Sequence, residues 1–332
     1  MSRRALLVVA VAAVTVAFTA LAIRGAHPED VADAIRDSNP LWLIPALLVL
    51  GIGVWLRALR WQVLFPPESR PGLWPVAAST LIGYFFTQIL PLRAGEVARV
   101  VALNQRSGTS RAEIAGTVVI ERVYDLIALL GLLFVLVPWL PEVTWLRAAA
   151  GFGAAILLVV LLAAAALVRW GDRAVHRALR PFGRLPFVPS AQLEEIGTNL
   201  ARGLAGLRNS RLAAWAFVLT VVSWVVLGLS AWLVFVAFDL GLSPAAGIFT
   251  LIALGLSAVL PAGPSGIGVF EAAVVVALGA YGVDDSTALS AALVLHALNF
   301  VPFVIAGLAV LRFHVRVPEA RTAGLADTGR ES

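Results

Sequence analysis

The chain has 332 residues, 60% of them hydrophobic and only 14% charged, with a mean hydropathy of +0.91, and this excludes a soluble globular protein. Its 25 basic residues are all arginine and outnumber 20 acidic ones, so the net charge of +5 suits anionic lipid headgroups, with no nucleic-acid motif beside it. With no cysteine, disulfides, iron–sulfur clusters and thiol catalysis are excluded. The four histidines (His27, His176, His296, His314) lack metal-ligand spacing, so neither a metal nor a cofactor is expected.

Arg3 and Arg4 precede an apolar run from Ala5 to Ile23. Ala20-Leu-Ala22 resembles a signal-peptide cleavage site, but the run is longer than a signal core, and we read a retained first helix. The stretch from Arg24 to Asn39 is acidic and is placed outside. A second helix is predicted over Leu41–Leu56, with Pro40 and Pro45 in its first turns, ending in a basic inner segment with Arg57, Arg60 and Arg70.

The next segment decides the topology. If Leu73–Leu90 crossed the bilayer, the arginine-rich loop at 169–211 would lie outside, against the positive-inside bias. If Leu73–Arg106 instead dips in and returns, the loops fall into place. Ala112–Val137 goes out, Leu146–Val168 returns, Leu212–Phe238 goes out and Ala288–Leu311 returns. The apolar run Pro244–Ala280 then enters and leaves from the outer side. It is broken at Pro261-Ala-Gly263-Pro-Ser-Gly266-Ile-Gly268, because proline and glycine cannot continue a helix. Leu90-Pro91-Leu-Arg93-Ala-Gly95-Glu96 echoes that break upstream.

The expected fold is therefore an all-α integral membrane protein with six full spans and two re-entrant broken-helix hairpins. Interrupted elements entered from opposite faces mark an inverted repeat. One polytopic domain covers residues 1–316, and both termini are cytoplasmic. Leu193, Ile196, Leu200, Leu204 and Leu207 recur at helical spacing within the basic loop, which reads as an amphipathic surface helix or one packed on the bundle. The tail at 317–332 is polar and expected to be disordered.

Charges inside these apolar segments carry the functional reading, since each costs roughly 2.5–3.5 kcal/mol at the bilayer centre. Glu96 lies three residues from both Arg93 and Arg99, within helical reach of each. Glu121 and Asp125 share a face, with Arg122 within reach of Asp125, and Glu271 follows the second break. Seven such groups must converge on one another or on water. They form either a structural ion-pair network or a phosphate-binding arrangement of half-helix N-termini and guanidinium forks. His296 and Asn299 can share a helix face and read first as part of a hydrogen-bonded bundle interior, with a ligand site or proton relay as the alternative.

Arg57-Ala-Leu-Arg60-Trp61, Leu90-Pro91-Leu-Arg93-Ala-Gly95-Glu96-Val-Ala-Arg99, Glu121-Arg122-Val-Tyr-Asp125 and Pro261-Ala-Gly-Pro-Ser-Gly-Ile-Gly268-Val-Phe-Glu271 occur in this order. Together they resemble the lysylphosphatidylglycerol synthase transmembrane-region family of flippase-like membrane proteins. The resemblance implies a plasma-membrane protein whose relatives move aminoacylated phosphatidylglycerol between leaflets or are linked to isoprenoid, hopanoid or polyprenyl-linked lipids. The chain stops soon after Arg316, where bifunctional relatives carry an aminoacyl-transferase domain, so synthase activity is not expected.

The expected function is translocation of an anionic lipid, with Arg93, Arg99 and Arg122 capturing its headgroup. Glu96, Glu121 and Asp125 hold these arginines, and Arg57 and Arg60 lie near the headgroup. Membrane lipids, anionic or polyprenyl-phosphate, are the expected partners, and a separate lipid-modifying enzyme is a further one. The alternatives are a proton- or cation-coupled solute transporter using Glu121, Asp125 and Glu271, an intramembrane lipid-phosphate enzyme, or an accessory subunit.

Overall fold

A computed structural model of the chain describes residues 3–91, 94–141, 151, 153–159, 162, 210–258, 260 and 262–313. The predicted amphipathic helix, the tail after 317, most of the 146–168 span, and both Arg93 and Pro261 lie outside the described residues. Among the described residues the chain is helical and has no strand, as expected of an all-α membrane protein. Three described helices are long and apolar enough to cross a membrane: Pro40–Val63, Arg211–Ala237 and Asp285–Arg312.

α1 runs over Arg3–Ile23 and α2 over Pro28–Asp37. The acidic segment placed outside thus contains a helix. Pro28 opens it, Glu29 and Asp30 sit in its first turn and Arg36 in its last, which matches the helix dipole. α3, Leu43–Val63, continues well past the predicted end at Leu56. That extension carries Arg57 and Arg60 into the helix body instead of an inner loop.

The first interrupted segment forms a hairpin of α4 (Leu73–Ile89) and α5 (Ala94–Ser107). α5 stops at Gly108, whose φ of +71° is the left-handed conformation that closes helices. α6, Arg111–Leu136, is capped by Ser110, whose hydroxyl accepts the Glu113 N–H at 3.2 Å. α7 covers Ser210–Ala237. A second hairpin follows, of α8 (Pro244–Ser257) and α9 (Val269–Gly279), and α10 (Asp285–Phe313) closes the described chain. At 1.5 Å per residue the four hairpin arms measure about 25, 21, 21 and 16 Å, against a hydrocarbon core of about 30 Å.

The packing repeats. α3 lies along α7, α4 packs on α10 as α8 packs on α6, and α5 meets α6 as α9 meets α10. Helices α3–α6 and α7–α10 therefore share these contacts in the same order, whereas α6 packs on α7 more extensively than α10 does on α3. Each half has its own core: Trp61, Phe65, Leu103 and Ile114 pack in the first, while Val234, Phe235, Leu278 and Leu295 pack in the second. A third cluster around Leu129, Trp224 and Ile252 joins them. α1 stands outside this repeat and packs on α9.

Close backbone approach holds the first hairpin shut. A Cβ on Gly95 would collide with the Gly83 carbonyl and the Thr87 backbone nitrogen, neither of which can swing aside. Gly95 therefore sits at a helix crossing inside α5, and the break itself is centred on Pro91. Gly95→Ala should cost about 1–3 kcal/mol by overpacking. Gly131→Ala, with open space around its Cα, should cost nothing or gain stability through helix propensity. Thermal unfolding of both variants in detergent checks the contrast.

Candidate functional site

α3, α5 and α6 bring three arginines and three carboxylates into one network. Glu121, on the buried face of α6, is its centre. Its Oε1 lies 2.7 Å from Arg60 Nη2, 2.8 Å from Arg122 Nη2 and 3.2 Å from Arg99 Nη1. Asp125, one turn further on, takes Arg60 through Nη1 and Arg122 Nη1 at 3.3 Å. The indole of Trp224, reaching over from α7, donates to the same carboxylate at 3.0 Å. Glu96 contacts Arg99 at 2.7 Å, in an alignment too poor for a hydrogen bond, and Arg122 at 3.4 Å.

Aromatic rings position the cations further. Arg99 lies 4.7 Å over the Trp61 ring, and Trp61 is itself fixed by donation to Thr117 Oγ1 at 3.0 Å. Arg57 stacks 4.4 Å over Trp224 and donates to the Tyr84 hydroxyl at 3.4 Å. Arg57 makes no ion pair among the described residues. Counting it, four guanidinium groups face three carboxylates, leaving a surplus of one positive charge.

The sequence-predicted residues divide as follows. Glu96, Arg99, Glu121, Arg122 and Asp125 are brought together. Arg60, expected near the headgroup at the end of the second helix, is fully buried (0% exposed) between Glu121 and Asp125. The extended α3 puts it there. Arg122 keeps 43% of its side chain exposed.

Glu271 does not join this network. Its Oε1 lies 2.5 Å from His296 Nδ1, and its Oε2 accepts the Gly268 N–H at 2.7 Å. His296, read as part of a hydrogen-bonded interior, is bonded there to a specific carboxylate. His296 also touches Ser265 Oγ through Nε2 at 2.5 Å and stacks on Phe270 at 4.4 Å. Nothing in the sequence pointed to Ser265. The only signal for His296 was a titratable residue on an otherwise apolar helix.

The second break is a single 3₁₀ turn, Pro264–Gly266, whose last residue Gly266 has φ +76° and which is followed by Gly268 at φ +83°. Ser265 shares that left-handed conformation at φ +58°, which is uncommon for a residue with a Cβ. Gly263 donates to Thr15 Oγ1 of α1 at 3.2 Å, and a Cβ on Gly268 would strike the α1 backbone at Thr15 and Thr19.

The two ion pairs occupy equivalent places in the repeat. Glu96 and Glu271 are each the third residue of a hairpin's second arm. Arg122 and His296 are each the twelfth residue of the helix that follows. The glutamate–cation contact is thus made twice, once with a permanent cation and once with a titratable one.

A cavity of about 830 Å³ lies between the halves. Arg57, Tyr84, Arg122 and Asp125 line one side, and Gly263, Ser265, Gly266 and Phe270 of the second hairpin line the other. The rest of its wall is mostly apolar and rich in leucine. Such a space suits a polar, anionic group attached to an apolar body. Among the described residues no cluster of His, Asp and Glu could hold a metal ion.

Comparison with known proteins agrees with this architecture. The family model described as the lysylphosphatidylglycerol synthase TM region matches residues 6–307. A UPF0104 membrane protein of Methanothermobacter thermautotrophicus is 30% identical over 276 residues, covering 78% of this chain and 80% of the relative. One from Methanocaldococcus jannaschii is 27% identical over 229 residues, 67% of this chain and 91% of the relative. The glycosyltransferase AglD of Haloferax volcanii is 25% identical over 342 residues, covering 92% of this chain but 54% of the relative. With nearly the whole described membrane region inside the matched span, the chain belongs to the lysylphosphatidylglycerol synthase transmembrane-region family.

Proposed function

We propose that this protein is a lipid translocase that moves an anionic or aminoacylated phospholipid, or a polyprenyl-type lipid, between the leaflets of the plasma membrane. The observation that carries the reading is the cavity between the two halves, where Arg57 and Arg122 face a leucine-rich wall. A phosphate-bearing headgroup would sit at the guanidinium groups while its acyl chains stay in the bilayer. Glu96, Glu121 and Asp125 hold Arg60, Arg99 and Arg122 in place when no headgroup is bound.

The topology that serves this function has six full spans, two re-entrant hairpins and cytoplasmic termini. Hairpin arms of about 16–25 Å support it, since none matches the thickness of the hydrocarbon core. The repeated contact pattern of α3–α6 and α7–α10 supports hairpins entering from opposite faces. Rocking of one half against the other would expose the cavity to each leaflet in turn.

The test is purified protein reconstituted in vesicles with a headgroup-labelled anionic lipid and a membrane-impermeant quencher. Translocation should make the inner-leaflet label accessible at a rate proportional to protein content. A rate equal to that of protein-free vesicles would reject the reading.

A further inference from the structure

The hydrogen-bond arithmetic around His296 defines a state that a neutral imidazole beside an ionised carboxylate cannot adopt. Gln88 of α4 donates through Nε2 to the Asn299 carbonyl at 3.2 Å, which turns its Oε1 toward Ser265. Ser265 Oγ lies 2.5 Å from that Oε1 and 2.5 Å from His296 Nε2. A carbonyl oxygen brings no hydrogen and a hydroxyl brings one, so Ser265 donates to Gln88. His296 Nε2 must then carry the proton it donates to Ser265. On the other side of the ring, Nδ1 and Glu271 Oε1 are 2.5 Å apart, and only a further proton can hold them there. Glu271 and His296 together therefore hold one proton more than a carboxylate beside a neutral imidazole.

We propose that the Glu271–His296 pair is a proton-binding site whose occupancy latches the second hairpin to the first. When Nε2 loses its proton to cavity water, it becomes an acceptor and Ser265 turns its single hydrogen from Gln88 to His296. The Gln88 oxygen then faces an oxygen lone pair, and the contact between α4 and the Pro264–Gly266 turn is lost. No covalent bond other than those to the moving protons changes. The site lies where the turn of the second hairpin packs on α4 of the first, and Ser265 opens onto the cavity. Its counterpart in the other half is Glu96–Arg122, where an arginine cannot release its proton. One half thus holds a fixed charge and the other a switchable one. As the coupling ion of transport, the proton's role rests on the translocase reading, whereas the binding site itself does not.

Other groups around the pair leave its chemistry to these partners. α9 contributes Glu271 and Phe270, α4 contributes Gln88, and among its described side chains α1 brings the hydroxyls of Thr15 and Thr19. Across the cavity stand Arg57 of α3, and Arg122 and Asp125 of α6, the last two paired with each other. The acidic side chains of α2 (Glu29, Asp30, Asp33 and Asp37) are exposed, and α2 meets α10 near its start, where His27 and Val31 bond Ser286 and Ser290.

The site is tested on the full chain in lipid nanodiscs by ¹⁵N spectroscopy of the histidine rings, with His296→Gln identifying the signal. Nε2 of His296 should carry its proton at the acid end of the pH range over which the protein stays folded and lose it toward the alkaline end. The latch is read separately with Leu90→Cys and Ile267→Cys, both at exposed positions of a chain with no native cysteine. Their cross-linking rate, taken relative to the same pair in His296→Gln to cancel the thiol's own titration, should fall several-fold over the same pH range. A ring fixed in one protonation state across that range, or a flat cross-linking ratio, overturns the proposal. If both signals appear and no lipid moves in vesicles, the translocase reading fails and the proton site stands.

Discussion

Glu121→Gln should destabilise the protein by about 3–5 kcal/mol, the cost of breaking a buried ion network by removing one partner. Its carboxylate is within ion-pair distance of Arg60, Arg99 and Arg122, more cations than Glu96 or Asp125 engages. The amide keeps the volume but removes the charge, leaving four guanidinium groups against two carboxylates. An amide NH₂ would also face a cation if it turned toward the arginines. Glu96→Gln is the control, because its side chain is 32% exposed and solvent screens what it loses, so about 1 kcal/mol or less is expected. Unfolding followed by circular dichroism in detergent separates the two. The double variant Glu121→Gln with Arg60→Met should recover part of the loss, since a buried pair replaced as a whole costs far less than one left broken.

Arg57→Gln is expected to have the opposite profile, with a small effect on stability and a large one on transport. Arg57 has the stacking contact with Trp224 and one long hydrogen bond to Tyr84 to lose, worth about 0.5–1 kcal/mol. Yet it faces the cavity as the network's surplus positive charge. A hydrogen bond to a charged group contributes about 1.5–3 kcal/mol, so removing it should slow anionic lipid movement about ten- to a hundredfold. Movement of a zwitterionic lipid, where it occurs, should change less. Equal loss for both lipids in the vesicle assay would show that Arg57 shapes the cavity without recognising charge.

Much of this architecture is legible in the sequence because the bilayer imposes few solutions. The bounds of α4, α6, α7 and α10 follow from where apolar runs meet arginine, proline or glycine, and both hairpin breaks are visible as helix-incompatible clusters. The end of α3 is not legible, because Arg57 and Arg60 look like a membrane-surface terminus until α6 supplies Glu121 and Asp125 to Arg60, and α4 and α7 supply Tyr84 and Trp224 to Arg57. Burial of a charge depends on what other helices bring to it, and a single segment does not contain that information. The same reason hid Ser265, Gln88 and His296, whose contacts span 31 and 177 residues of chain. Glu271 was legible as a costly carboxylate, but its separation on the far side of the cavity from the arginines required the fold. The pairing of Glu96 with Arg122 and of Glu271 with His296 shows the repeat more clearly than the sequence echo of the two breaks does.

The central claim is that two hairpins dip into the bilayer from opposite faces and meet at one cavity. It is tested most directly by single cysteines in the native cysteine-free chain, labelled by a membrane-impermeant thiol reagent from one side at a time. Glu68→Cys and Gln105→Cys bracket the first hairpin, and Ser243→Cys and Asp284→Cys bracket the second, all four at exposed positions. The first two should label only from the cytoplasmic side and the last two only from the outside. Labelling of the two ends of either hairpin from opposite sides would contradict the account.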